Sequence, residues 1–194
     1  MVKTYKLLEN GGVEITVKVI PTPKLLKAKK AGLSSLPRVG VELELDSDLF
    51  NVSYVGLGPH ENYPDRKSCC DTGKFATTVS DMHTPYIVPS ENGARGECDS
   101  VTFSSEGGGK SLKVSGKGGQ KFSFSASLWS NKELQVADHT YDLAKRGDGG
   151  GSVFVNIDHK IMGVGGDCSW LPVVYEDYKV GVEVYEFGFV FQPL

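Results

Sequence analysis

The sequence lacks any apolar run approaching the roughly 18 residues that a membrane-spanning helix needs. It also lacks an excess of either charge. Lys and Arg total 21 against 24 Asp and Glu, for a formal net charge of −3. That balance leaves no electrostatic footprint for nucleic acid or an anionic membrane, so neither is an expected partner. Cysteine is scarce, at four residues: Cys69, Cys70, Cys98 and Cys168. They form no CxxC pair and no Cys/His ligand spacing, which argues against structural zinc. The histidines His60, His83, His139 and His159 form no local metal pair, and structural roles are expected for them. No metal and no cofactor is therefore expected. Polar residues follow Met1 without a signal-peptide pattern, so a cytoplasmic protein with reduced thiols is expected.

Familiar catalytic and nucleotide motifs are missing too. Gly109-Lys110-Ser111 resembles the end of a phosphate-binding loop, but Ser104 stands where the first glycine is required. Gly163-Val164-Gly165-Gly166 fails the dinucleotide fingerprint because Cys168 occupies the place of its last glycine. No HExxH and no nucleophile elbow is present.

Helix-period patterning is rare, and strand patterning takes its place. Val13, Ile15, Val17 and Val19 alternate with mostly polar residues. Val39, Val41, Leu43 and Leu45 do the same, as do Phe122, Phe124, Ala126 and Leu128, and then Val153, Val155 and Ile157. Each run places one apolar row on one face of a pleated strand. Near the C-terminus, Val180, Val182 and Val184 are out of phase with Tyr185, Phe187, Phe189 and Phe191. A one-residue slip calls for a bulge or turn, so two strands are expected to meet near Gly181–Glu183.

Turn signals stand at Asn10-Gly11-Gly12, Asn92-Gly93 and Gly147-Asp148-Gly149. Residues 106–120, rich in Gly and Lys, read as an exposed hairpin tip. Lys24, Lys27, Lys29 and Lys30 read as a solvated, proline-flanked loop. One short helix is expected, because Ser130-Asn131-Lys132-Glu133 fits a capping box. The length of 194 residues suits one domain. The pattern as a whole predicts an all-β, antiparallel sandwich with long loops.

Three segments concentrate polar and aromatic residues between strands. The first is Gly56-Leu57-Gly58-Pro59-His60-Glu61-Asn62-Tyr63-Pro64-Asp65-Arg66. The second runs from Ser80-Asp81-Met82-His83-Thr84-Pro85-Tyr86 to Ser90-Glu91-Asn92-Gly93. The third is Asn156-Ile157-Asp158, continuing through Met162-Gly163-Val164-Gly165-Gly166-Asp167-Cys168-Ser169-Trp170. In this order, from about Thr4 to the C-terminus, they resemble the last domain of family-two β-galactosidases, which also occurs as the separate small subunit of split enzymes.

The resemblance implies an antiparallel supersandwich like that of galactose mutarotases. It matches residues 1–194, as one sandwich domain, to the later two-thirds of the family's domain. It places the catalytic glutamates and the magnesium ligands on a barrel domain, so no catalytic residue and no hydrolysis is expected of this chain alone. The partners implied are the barrel domain or large subunit and galactosides such as lactose; a homo-oligomer is left open. Trp170 inherits the role of the tryptophan that stacks on sugar at the mouth of the active site. An indole face suits the C–H face of a pyranose.

Glu61, Asn62, Tyr63, Asp65 and Arg66 could contact sugar or the barrel, but a self-contained polar network is the preferred reading. Asp167 and Ser169 are further possible contacts, expected to hold the loop by local hydrogen bonds. His60 departs from the polar residue common in related enzymes. A free-standing, lectin-like carbohydrate-binding protein is the alternative function. A mutarotase-like isomerase is a third reading, disfavoured because the mutarotase motifs are not evident.

Overall fold

The computed structural model describes residues 1–194 except Ser169 and Pro172. The alternating segments form the strands expected of them, with others between. These are β1 (Val2–Leu7), β2 (Val13–Val19), β3 (Arg38–Leu45), β4 (Asn51–Gly58), β5 (Asp71–Thr78), β6 (Arg95–Cys98), β7 (Ser100–Ser104), β8 (Ser111–Gly116), β9 (Phe122–Ser127), β10 (Val153–Ile161) and β11 (Tyr185–Pro193). A seven-stranded sheet has the order β1-β2-β11-β8-β7-β4-β5, and a four-stranded sheet the order β3-β10-β9-β6. The registered pairings are antiparallel. The all-β sandwich expected from the sequence is the fold observed.

The inner faces meet through aromatic contacts. Phe103 of β7 stands edge-on to Phe124 of β9 at 6.2 Å, and Phe122 of β9 meets Phe189 of β11 at 5.8 Å. Val17, Val101, Val114, Val153, Val155 and Ile157 are sealed between the sheets. Burial of each such side chain stabilises by roughly 1.5–3 kcal/mol relative to exposure.

The two sheets do not match in width. β6 lies over β4, since a Cβ on Gly56 would stand 2.5 Å from Cys98 Sγ. At the other side, His159 of β10 stacks on Phe187 of β11 at 5.0 Å. Only β3 remains beyond β10, whereas the larger sheet continues through β2 and β1. Cross-strand partners share a face, so the row Phe189–Ile15–Tyr5 shows where cover ends. Phe189 is 1% exposed, Ile15 is partly buried, and Tyr5 is 61% exposed. In the adjacent row Leu7, opposite Val13, is 81% exposed. The inner apolar face thus runs out from under the smaller sheet.

Three sequence expectations change. Residues 23–30 form a helix, α1 (Pro23–Lys30), where a loop was expected. Thr22 caps it by accepting from the Leu25 amide at 3.3 Å, Pro23 opens it, and Lys27, Lys29 and Lys30 complement its C-terminal dipole. None of its residues is buried, so it left no apolar period to read. The expected helix is α3 (Asn131–Val136), with its Ser130/Glu133 capping box, and a short α2 (Val79–Met82) adds a third.

Residues 106–120 are not one hairpin tip. Leu112 and Val114 belong to β8, which pairs with both β7 and β11. The glycine turns lie on either side of it, with positive φ at Gly107 and Gly108 and at Gly118 and Gly119. Near the C-terminus only one full strand forms. Val180 makes a lone bridge to Leu36, and Gly181–Val184 is a turn braced by Tyr185, whose hydroxyl donates to the Gly181 carbonyl at 2.7 Å. Val182 is buried without joining a ladder.

Candidate functional site

The three loop segments converge at one end of the sandwich. The first leaves β4 and folds back on itself: the Tyr63 and Arg66 backbones exchange hydrogen bonds at 3.0 and 2.9 Å around Pro64-Asp65. Asn62, 2% exposed, is fully engaged. Its amide nitrogen donates to the Leu57 and His60 carbonyls, and its oxygen accepts from the Gly96 amide at 2.8 Å. Glu61 accepts from the Gly93 amide at 2.7 Å, from the Tyr86 hydroxyl and from Arg66. Burial alone would raise the Glu61 carboxyl, but the bonds from Tyr86 and Gly93 and the Arg66 charge hold it below its usual range. Arg66 also lies over the Tyr63 ring, 5.3 Å from its centroid. Glu61, Asn62 and Arg66 are thus bonded to one another or to neighbouring backbone and side chains of the same loops.

A second network sits below the first. Arg38, at the start of β3, pairs with Glu91 and approaches Asp158 at 3.7 Å. Tyr63 donates to Glu91 at 3.4 Å. Asp158 is 1% exposed and neither of its carboxylate oxygens has a hydrogen-bond partner among the described residues. Burial pushes it up to about 7, against the pull of Arg38 and with a push from Glu91. Burial likewise raises Glu91 against the Arg38 charge. The sequence places Glu91 in one of the three polar segments, but it carries no signal for Arg38, which looks like any strand-end arginine.

The third segment leaves β10 and is tied to the first by Asp65. The Asp65 carboxylate accepts from the Val164 amide at 3.0 Å and from the Gly165 amide at 2.7 Å. A Cβ on Gly163 would stand 2.3 Å from Asp65 Oδ2, so only glycine fits there. Gly165 has φ of +68°, and a Cβ on it would lie 2.9 Å from the Val173 carbonyl oxygen. Beyond this base Gly166, Asp167, Cys168, Trp170 and Leu171 are exposed. Trp170 is 90% exposed, and Asp167 is exposed beside it. Ser169 lies outside the described residues. Asp65 was the residue whose particular role the sequence did not disclose; the nearby Gly-rich string was the available hint.

Between the segments is a cavity of about 440 Å³, lined by Arg38, Tyr63, Arg66, Tyr86, Glu91 and residues 161–165 among others. Glu61, Asp65 and Glu91 all hold protein partners at its margin, and Asp158 is closed off from solvent. His83 packs on Trp129 and His159 on Phe187, and burial lowers both imidazoles from their usual range. Among the described residues no cluster of three or more His, Cys, Asp or Glu is placed to hold a metal ion. No helix among them is long and apolar enough to cross a membrane.

A sequence model of the family described as beta galactosidase small chain matches residues 1–191. The chain belongs to the β-galactosidase small-chain family. Its relatives include beta-galactosidases from several bacteria. That of Oenococcus oeni is 36% identical over 187 residues, covering 96% of this chain and 16% of the relative. That of Yersinia enterocolitica is 38% identical over 189 residues, covering 97% and 16%. That of Vibrio cholerae is 37% identical over 183 residues, covering 94% and 16%. The small-chain sequence thus spans 16% of the length of these relatives.

Proposed function

We propose that residues 1–194 are the non-catalytic sandwich portion of a cytoplasmic β-galactosidase, supplying the aglycone side of its sugar pocket and docking on the barrel portion. The observation that carries this reading is the uncovered inner face of β1 and β2. Tyr5 and Leu7 point the way core residues do, yet they are 61% and 81% exposed. An apolar face left open this way marks an interaction surface. Polypeptide preceding this sequence would add beside β3 and cover it, so the chain would correspond to the later two-thirds of a larger sandwich. The relatives have that additional length, since the chain spans 16% of them.

Trp170 is the residue assigned to the substrate. Its ring is free to stack on a pyranose, and its loop belongs to the end of the sandwich where the three segments meet. Glu61, Asp65, Glu91 and Asp158 of those segments are committed to arginines, amides or the interior, while Asp81 and Asp167 are exposed; the four committed carboxylates support leaving bond cleavage to the barrel. The test is complementation. The chain alone, the remaining polypeptide alone, and the two mixed are assayed on a chromogenic galactoside. Turnover is expected only from the mixture. Turnover by this chain alone, or full activity of the remainder without it, would overturn the reading.

The lectin-like alternative also draws on Trp170, because an aromatic that is 90% exposed is ready to bind without a partner. Galactose or lactose titration of the isolated chain separates the two. Saturable quenching of Trp170 with no requirement for the remaining polypeptide favours the lectin.

A further inference from the structure

We propose that Asp65 is the positioning residue of Trp170: its carboxylate clamps the base of the loop that presents the indole. The proposal rests on the reading of Trp170 as the sugar contact. Three observations place the clamp. The first is the pair of amide bonds, from Val164 and Gly165, each to its own Asp65 oxygen. An ionised carboxylate accepting two backbone amides is among the stronger neutral-to-charged arrangements available to a loop.

The second is the rigidity of the clamp's own support. Asp65 sits in a turn closed by the reciprocal Tyr63–Arg66 backbone bonds, and that turn is anchored by the buried Asn62 and Tyr63. The third is how the loop's two stems are joined. The Gly163 amide donates to the Tyr178 carbonyl at 2.9 Å, and Gly165 packs tightly against Val173. The base of the loop is therefore fixed on both sides, while Trp170 and Leu171 are exposed. The close approach of Gly163 to the Asp65 carboxylate leaves no room for a side chain and sets how near the two loops can lie.

This links the first and third polar segments by function. The first does not touch substrate in this scheme. It holds the aromatic that does. Asparagine at position 65 keeps the size but replaces one acceptor oxygen with a donor, which then faces an amide that also donates. Asp65→Asn should therefore free the loop without opening the core.

The test has two readouts. In a Trp129→Phe background Trp170 is the one remaining tryptophan, since the chain has two. Time-resolved anisotropy of the full chain should show Trp170 moving with the whole molecule, and Asp65→Asn should add a large fast component while the far-ultraviolet circular dichroism is unchanged. Gly163→Ala, which pushes the carboxylate away from the other side, should do the same, and it replaces Asp65→Asn if that variant does not fold. The second readout is a double-mutant cycle in the complemented enzyme. Asp65→Asn should raise KM for the galactoside by about tenfold, as a small misplacement can, and should add nothing in a Trp170→Ala background. Unchanged anisotropy in the variants, or an equal KM penalty with and without Trp170, would overturn the clamp. If Trp170→Ala leaves KM unchanged, the sugar reading fails, and the anisotropy alone decides the clamp.

Discussion

The loop after β4 and the loop after β10 meet in space and share hydrogen bonds, yet their side chains live in opposite surroundings. In the first, Asn62 and Tyr63 are 2% and 3% exposed and their polar atoms have protein partners. In the second, Trp170 is 90% exposed. A polar cluster in a loop is therefore weak evidence for a binding site when its members satisfy one another. A large aromatic presented to solvent from a braced backbone is stronger evidence, because no contact among the described residues accounts for its exposure.

The contrast can be broken by substitution. The largest effect should come from the first loop. Tyr63→Ala should cost about 3–5 kcal/mol, as expected for loss of a buried aromatic. Asn62→Ala should cost about 3 kcal/mol, because it strands the Gly96 amide and two carbonyls. Urea unfolding measures both, and a loss below about 1 kcal/mol for either would mean that this loop is not scaffold.

Next is a pH effect beneath the same loop. Asp158 titrates at about 7 in the folded chain, above its unfolded value of about 4. The native state thus holds the proton more tightly. The contribution of Asp158 to stability should be complete below about pH 4 and should fall as pH rises from about 4 towards 7. Asp158→Asn should flatten that fall, and a variant with the same pH slope as the parent would contradict the assignment.

Ser130→Ala calibrates the scale. It removes an ordinary helix cap and should cost about 1 kcal/mol. The smallest stability effect should be that of Trp170→Ala, within about 0.5 kcal/mol of the parent, while the galactoside KM of the complemented enzyme rises. A large stability loss at Trp170 would erase the contrast between the loops.

Much of the fold was legible because strand periodicity reports the side chains that the sheets bury. Val13–Val19, Val39–Leu45, Phe122–Leu128 and Val153–Ile157 each put their apolar row inward. The misreadings occur where local pattern and tertiary context part. α1 buries nothing, so it has no period. β8 is hidden between two glycine turns that resemble one long tip. Val182 is buried by a loop, not by a ladder. At the site, the Glu61–Arg66 network could be guessed from the chemistry of its residues. The Asp65 clamp and the Arg38–Glu91–Asp158 cluster join residues far apart in sequence, and no spacing rule reaches across that distance.

Hydrogen exchange in β1, β2 and β3 tests the central claim most directly, because the claim concerns which face the rest of a β-galactosidase covers. The isolated chain and the chain combined with the remaining polypeptide are compared amide by amide. Protection should rise along the outer edge of β3 and across β1 and β2, and Leu7→Asp should abolish both that protection and complementation while leaving the isolated chain folded. Unchanged exchange in these strands in an active complex would contradict the claim.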